Sequence, residues 1–577
     1  MEAWPEFRRA GWVASVALNA STAALALLFP VVVPATDAPS IAWNALGASI
    51  LACFAANLAG AATNWKTAGR LTGQYPGVAR ALSTQAAVKA CVLVWAGLGG
   101  LAGGLLNIFS WGGTPARLAS RIVTALSVAV PCSVGATTDL LALRERTRPP
   151  TPGPEPPARP TLRSWTKRSL ALSCYLAAAL APWPAFSVPF GWTDVATGLV
   201  SIVAGQFGGF LALVYAGAAA LLWGLNRGGK RRLAVAVPVG TCVVAACSFS
   251  LPLVATPFAI ASAQAEFEGA FGREFAEAFP EGAAPGFRTT PFLLPSYFLG
   301  QRDWECGVDR DVVYYSNNGV TLRFDAYYPL TDLTSNRTTI ITIHGGGWTA
   351  GDKGVGNVAA VNEYLAHQGH VVFDVQYGLI EGRAEFVIPT PDDVKGNFTV
   401  VDQVEQLGAF TKVLASNLSR VYGCDVGRTV ILGRSAGAHL AGVVGLGYND
   451  PFFEGTFDPR LTVKGVVMLY PPDDLSEFSG ALPFPRLVDV DLLDHYAPSK
   501  LVDPDDPLVL LFHGTSDGIV PARHSRRVEE AADRAGVKCA RLVFPFAGHA
   551  GDALFYSNYG QMWLYYLERF LYVVTNP

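Results

Sequence analysis

Three short groups of residues in this chain are suited to chemistry, and they lie far apart in sequence. The segment TVILGRSAGAHL holds Gly433-Arg434-Ser435-Ala436-Gly437, a Gly-x-Ser-x-Gly pattern directly after a β-branched run and directly before a helical pattern. A serine on such a tight strand-to-helix turn stands clear of its sheet, and the flanking glycines let the backbone make the turn. That placement suits attack on a carbonyl, with the backbone N–H of Ala436 aimed at the reacting oxygen. The second group, TTIITIHGGGWTAGDKG, is another β-branched run, ending in His344, three glycines and Trp348. Acyl transfer places negative charge on the carbonyl oxygen. N–H donors about 3 Å away stabilise it, and losing one typically costs about 2.7–4 kcal/mol. Gly345 and Gly346 have no side chains to block that approach, so their backbone and that of Ala436 form the candidate oxyanion hole. His344 is expected to brace this loop, and Trp348 to pack beneath it.

The third group supplies a base. A serine hydroxyl needs one, and the base needs an orienting carboxylate; on a strand–turn–helix scaffold the chain order is Ser, acid, His. His439 lies one turn into the helix after Ser435, too local to reach back. His513 ends a strand and is expected to support the loop after it; His524 opens a helix and is expected at the surface. His549, in FPFAGHAGD, follows the last strand on a glycine-flanked loop, where a base should hang. Asp517, in LLFHGTSDGIVP, follows the preceding strand and is the candidate acid, whereas Asp505 and Asp506 come before that strand. Read as structure alone, Asp517 would be an Asx turn and the glycine run a flexible loop.

These groups need a scaffold. From about residue 310, strand and helix patterns alternate, as in a mostly parallel sheet covered by helices on both faces. DVVYYS and VTLRFDAYY flank Asn-Asn-Gly and predict an opening hairpin. Later strands are expected at TIITIH, HVVFDVQY, TVILG, VKGVVMLY, PLVLLFHG and KCARLVFP, with helices between them and a closing helix at QMWLYYLERFLYVV. Two segments, 381–393 and 474–496, are long enough to shape an acyl pocket.

The first 262 residues differ sharply, being mostly Ala, Leu, Val and Gly, and all eight histidines lie after residue 340. Seven stretches are apolar enough to span a bilayer: about 11–34, 41–63, 86–109, 119–142, 169–190, 196–224 and 233–257. Basic residues crowd alternate connectors: Arg8 and Arg9; Lys66, Arg70 and Arg80; the run from Arg144 to Arg168; and Arg227 to Arg232. The other connectors are nearly bare, apart from Arg117 and Arg121. The excess of positive charge on one side predicts a multi-pass protein with a cytoplasmic N-terminus and an extracytoplasmic or lumenal C-terminal part. Asp139 is expected at an interface, so no charged relay is evident and the spans read as an anchor or lipid-facing scaffold. The basic, Pro-rich connector RERTRPPTPGPEPPARPTLR reads as a spacer.

The expected organisation is therefore an all-α transmembrane bundle over 1–262, an amphipathic connector over 263–309 and an α/β domain over 310–577. AQAEFEGAFGREFAEAF in the connector suits either a membrane surface or ordinary packing. A net charge of -3 gives no reason to expect a nucleic-acid partner. The nine cysteines show no CxxC pair or Cys/His cluster, so no structural zinc is expected. One disulfide among Cys306, Cys424 and Cys539 remains open. Sequons at Asn336, Asn397 and Asn417 agree with an extracytoplasmic face.

The motifs HGGGW…GDK, GRSAGAHL, HGTSDGIVP and GHA resemble, in kind and order, the α/β-hydrolase superfamily. They look most like the branch with prenylcysteine methylesterases, arylformamidases and hormone-sensitive-lipase-like esterases. The likeness covers about residues 310–577. It implies Ser435, Asp517 and His549 as a triad, Gly345, Gly346 and Ala436 as oxyanion donors, and no metal or cofactor. The lipase-like branch usually has Asp where Arg434 stands and Gly-Gly where Gly437-Ala438 stands, which favours the methylesterase and formamidase side. The leading expectation is a membrane-bound serine carboxylesterase acting on lipidic or acylated esters, with membrane lipids around it. An acyltransferase or a formamidase-type amidase would use the same triad. A receptor or adhesion protein with a silent hydrolase fold typically lacks a triad member, and none is missing here. A transporter or sensor regulated by its hydrolase domain needs intramembrane charge, which looks scarce.

Overall fold

In the computed structural model, residues 6–575 are described except 33–39, 73–74, 109–113, 148–163, 192–194, 227–231, 274–286, 301–302, 318, 331–337, 382–387, 389 and 479–485. Most of the Pro-rich connector, the Asn336 sequon and much of both expected pocket segments thus lie outside the described residues.

The C-terminal part is built on one eight-stranded sheet. Its strands are β1 (Gly307–Asn317), β2 (Val320–Tyr328), β3 (Thr338–Ile343), β4 (Val371–Val375), β5 (Asp425–Arg434), β6 (Val463–Leu469), β7 (Leu508–Gly514) and β8 (Cys539–Phe544). The order across the sheet is β1-β2-β4-β3-β5-β6-β7-β8. β2 runs antiparallel to β1 and β4, and every other neighbouring pair is parallel. Strands buried on both faces need continuous apolar or β-branched runs, and β3, TTIITI, is buried at every position. This central strand ends in the glycine loop, next to β5, which ends at Ser435.

Among the described residues seven helices are long and apolar enough to cross a membrane: Gly11–Leu28, Ala45–Leu71, Pro76–Ile108, Ala116–Leu143, Thr166–Phe190, Gly208–Leu225 and Ala234–Phe271. The segment expected as the sixth span is broken at Phe207. A short helix over Val195–Gln206 precedes the spanning helix Gly208–Leu225. The last span continues into the helix Thr256–Phe271, which packs on β8 and on the closing helix Asn558–Thr575. Phe267 meets Tyr566 at 5.6 Å and Phe271 meets Phe570 at 5.6 Å. The closing helix is buried nearly all round, its Asn558, Gln561, Glu568 and Arg569 included, because it is covered by the sheet and by this extension.

The two parts meet at one end of the bundle. Gly47 abuts Leu294, Gly356 lies beside the Ile108 carbonyl, and the Thr124 hydroxyl donates to Leu299 O at 3.2 Å. Arg117 forms a two-armed ion pair with Glu363, and Arg121 pairs with Asp303 at 2.8 Å. These are the two arginines that break the alternation of basic connectors, and both are taken up by carboxylates of the C-terminal part.

The bundle also holds charge that its composition hides. Asp139 is buried inside the bundle. It pairs with Lys89 at 2.7 Å, with both side chains at most 1% exposed. Ser15 Oγ donates to Asp139 at 2.6 Å, Lys89 donates to Asn57 Oδ1 at 3.0 Å, and Asn57 donates to Asn19 at 3.1 Å. A Cβ on Gly135 would lie 2.8 Å from Asn19 Oδ1, so glycine makes room for the cluster. The first four spans are locked together by satisfied polar groups. Breaking one side of such a buried pair costs about 3–5 kcal/mol, whereas replacing both sides is often nearly neutral. Lys89→Met alone is therefore expected to lower the unfolding temperature of the detergent-solubilised protein, and adding Asp139→Leu to recover most of the loss. Equal loss in the single and double variants would contradict the lock.

Candidate active site

Ser435 sits between β5 and the helix Ala436–Gly447 with φ 54° and ψ -123°, a strained conformation for a residue with a side chain. Its neighbours must be glycine. A Cβ on Gly433 would come 2.7 Å from Ala438 N, and one on Gly437 would come 2.7 Å from the Ile343 carbonyl carbon. The turn is held by hydrogen bonds from Ser435 N to Leu469 O at 3.0 Å, and from Ala438 N and His439 N to Ser435 O at 2.8 and 3.0 Å.

The structure brings Ser435, His549 and Asp517 into one line. Ser435 Oγ lies 2.9 Å from His549 Nε2, and His549 Nδ1 lies 2.8 Å from Asp517 Oδ2. With Nδ1–H donating to the carboxylate, Nε2 is left to accept the serine proton. Asp517 Oδ1 accepts from Ile519 N at 2.9 Å and Val520 N at 2.8 Å. Burial pushes the Asp517 carboxyl up, but His549 and His513 beside it outweigh that and hold it well below the usual carboxylate range. The acid therefore stays ionised. His513 also reaches Val520 O at 2.8 Å, supporting the loop as expected.

The glycine loop lies against this line. A Cβ on Gly345 would be 3.2 Å from Ser435 Cβ and 2.8 Å from Arg434 O, so the loop backbone passes directly over the serine. Gly346 has φ 133°, and a side chain there would collide with the Ala350 backbone. His344 Nδ1–H donates to Gly345 O at 2.8 Å, and its ring stacks on Tyr377 at 4.4 Å. Trp348 is buried, and its indole N–H donates to His439 Nδ1 at 3.3 Å, while His439 Nε2–H donates to Tyr496 O at 2.7 Å.

One residue of this neighbourhood, Tyr470, lies outside the site motifs, and two within them, Arg434 and Asp552, make contacts the motifs do not assign. Tyr470, at the end of β6 with φ 44°, sets its ring edge-to-face with His549 at 4.6 Å. Its hydroxyl donates to Asp552 Oδ1 at 2.6 Å, and Arg434 Nε donates to Asp552 Oδ2 at 2.7 Å. Arg434, which departs from the lipase-like pattern, thus ties the nucleophile turn to the loop after His549. A tyrosine closing a strand and an Asp three residues after the base were the available signals. His524 is not at the surface: it is fully buried and accepts from Asp473 N at 3.2 Å. Among the described residues no three His, Cys, Asp or Glu side chains group as a metal site. Cys306, Cys424 and Cys539 are unbridged.

The matching family model, described as BD-FAE, covers residues 324–531. The C-terminal part has the fold expected for an α/β-hydrolase, a mostly parallel sheet with Ser435 on a strand-to-helix turn. The chain is similar to the "Probable carboxylic ester hydrolase LipM" of Mycobacterium tuberculosis, 27% identical over 39% of this chain and 52% of that protein. It is also similar to the "Probable isoprenylcysteine alpha-carbonyl methylesterase ICMEL1" of Oryza sativa subsp. japonica, 26% identical over 46% of this chain and 60% of that protein. The chain thus spans between half and two thirds of the length of these curated relatives. Among solved structures, esterase B from Lactobacillus rhamnosis overlaps 56% of this chain and 96% of its own at 20% identity, with a TM-score of 0.38.

Burial pushes His344, His370, His439 and His524 of this hydrolase down to about 4 from the ordinary 6.5. Their folded values lie below the unfolded one, so the stability they contribute is complete above about pH 6.5 and is lost as pH falls towards 4. In an NMR titration of the folded chain these four imidazoles are expected to stay neutral until the pH approaches 4. Protonation of any of them near pH 6.5 would contradict their burial as neutral rings.

Proposed function

We propose that the chain is a membrane-bound serine carboxylesterase that cleaves carboxylic esters, a class that includes lipidic and acylated ones. The observation that carries this reading is the hydrogen-bonded line from Ser435 through His549 to Asp517. Ser435 Oγ attacks the ester carbonyl as His549 Nε2 takes its proton, and the imidazolium is stabilised by ionised Asp517. The backbone N–H groups of Gly345, Gly346 and Ala436 receive the oxyanion. His549 then returns the proton to the departing alcohol, leaving an acyl-enzyme. Water, deprotonated by the same imidazole, releases the acid and restores Ser435. The cycle uses no metal or cofactor.

In this reading residues 1–262 form the transmembrane domain, 263–309 a connector and 310–577 the hydrolase. The hydrolase is extracytoplasmic or lumenal and the N-terminus cytoplasmic. Charge supports this orientation: Lys66, Arg70 and Arg80 lie at the far ends of their helices from the contacts at Gly47, Ile108, Arg117 and Arg121. Two of the sequons, at Asn397 and Asn417, are exposed on the hydrolase.

Purified full-length protein should turn over p-nitrophenyl esters from acetate to palmitate, with a chain-length optimum that reports the acyl pocket. Ser435→Ala should abolish that turnover; wild-type rates in this variant would refute the assignment. Gly346→Ala, which adds a Cβ where φ is 133° and the Ala350 backbone stands, should lower kcat by about 100-fold. An unchanged kcat would remove this loop from the oxyanion hole.

A further inference from the structure

The loops that carry Asp517 and His549 rest on the membrane half. Below the Asp517 loop lies the helix Pro182–Phe190, at the end of the fifth span. Ser516 Oγ donates to Val188 O at 3.0 Å, and a Cβ on Gly191 would stand 3.3 Å from Ser516 Cα. The short helix Val195–Gln206 then runs beneath both loops. Gly198 fits against Ile519, two residues after the acid, and a Cβ on it would come 2.5 Å from Ile519 Cγ1. A Cβ on Gly205 would come 3.1 Å from Phe546 O, and one on Gly548 would come 2.8 Å from Ser201 Cβ. Glycines on both sides make the approach backbone-close.

Gln206 ends this helix and is 1% exposed. Its amide grips both ends of the segment after His549: Nε2–H donates to Ala550 O at 3.0 Å, and Oε1 accepts from Leu554 N at 2.6 Å. Nε2–H also donates to Ile202 O at 2.8 Å, which fixes the amide to its own helix. The Gln206 carbonyl accepts from Tyr297 OH at 3.1 Å, and that hydroxyl accepts from Gly209 N at 2.9 Å. The side chain is therefore held by the bundle and holds the hydrolase. The backbone around these contacts is strained: Ala550, whose carbonyl Gln206 binds, has φ 51°, and Phe546, whose carbonyl faces Gly205, has φ 62°. Non-glycine residues keep such a backbone only where their surroundings enforce it.

We propose that Gln206 is a positioning residue of the triad, and that the membrane half is thereby part of the machinery that keeps His549 on Ser435. This rests on the serine-esterase reading. Gln206 touches no reacting atom. It fixes the backbone from Ala550 to Leu554, and so the ring that must lie within hydrogen-bond reach of Ser435 Oγ. Ser516 does the same for the acid loop through Val188.

The test uses full-length protein in nanodiscs, with competent sites counted by fluorophosphonate titration. Gln206→Met keeps the volume and removes both bonds. Misplacing a catalytic group by about 1 Å costs on the order of 100-fold, so kcat per titrated site should fall about 10- to 100-fold with KM within about 2-fold. Ser516→Ala should reduce kcat per titrated site in the same sense, and it decides the matter if Gln206→Met does not fold. A merely structural role would reduce the number of titratable sites or the unfolding temperature and leave turnover per site unchanged; that result, in the variants that fold, overturns the proposal. Ser435→Ala in the same series separates the two levels. If it retains turnover, the esterase reading itself fails, whatever Gln206 does.

Discussion

The arrangement of this domain depends on one steric constraint, the contact between the turn at Ser435 and the end of the neighbouring strand. Gly437 lies so close to the Ile343 and His344 carbonyls, and Gly433 so close to the first turn of the next helix, that neither can carry a side chain. This contact forces Ser435 to positive φ and projects its hydroxyl beyond the sheet. It also fixes the glycine loop after β3 over the serine, because β3 and β5 are paired neighbours. The sheet order then places the ends of β6, β7 and β8 in sequence beside Ser435, which puts Tyr470, Asp517 and His549 within reach of one another. The catalytic geometry is a consequence of strand order and backbone contact.

Electrostatics completes the site around the buried Asp517 carboxylate. A carboxylate as buried as Asp517 would take up a proton without partners; two backbone N–H groups and two imidazoles keep it charged. Arg434 and Asp552 form a second buried pair that holds together the two chain segments bearing the nucleophile and the base. Beneath them the bundle contributes Gln206 and the Val188 carbonyl, so the loops bearing Asp517 and His549 are held by the sheet on one side and by the apolar helices on the other.

Much of this was legible in the sequence because it depends on local patterns. β-branched runs bounded by glycine gave the strands, hydropathy gave the spans, and the order Ser435, Asp517, His549 gave three residues that lie in one hydrogen-bonded line. What was not legible depends on partners distant in sequence. Asp139 looked interfacial because its partner, Lys89, lies in another span and is outnumbered there by apolar neighbours. His524 looked exposed because it opens a strongly charged helix, yet its ring faces the Asp473 backbone. Gln206 was one polar residue in an apolar run, and only the fold shows that the run breaks at Phe207 and turns beneath the active site. Periodicity reports which face is apolar; it does not report which polar residue on that face meets a loop 344 residues away.

The most direct test of the account is to locate the nucleophile chemically. Full-length protein treated with a fluorophosphonate and digested should yield one phosphonylated peptide, the one bearing Ser435. His549→Ala should suppress the modification while the protein stays folded. An adduct on a different serine, or equal labelling of Ser435 without His549, would contradict a hydroxyl activated by the Ser435–His549–Asp517 line.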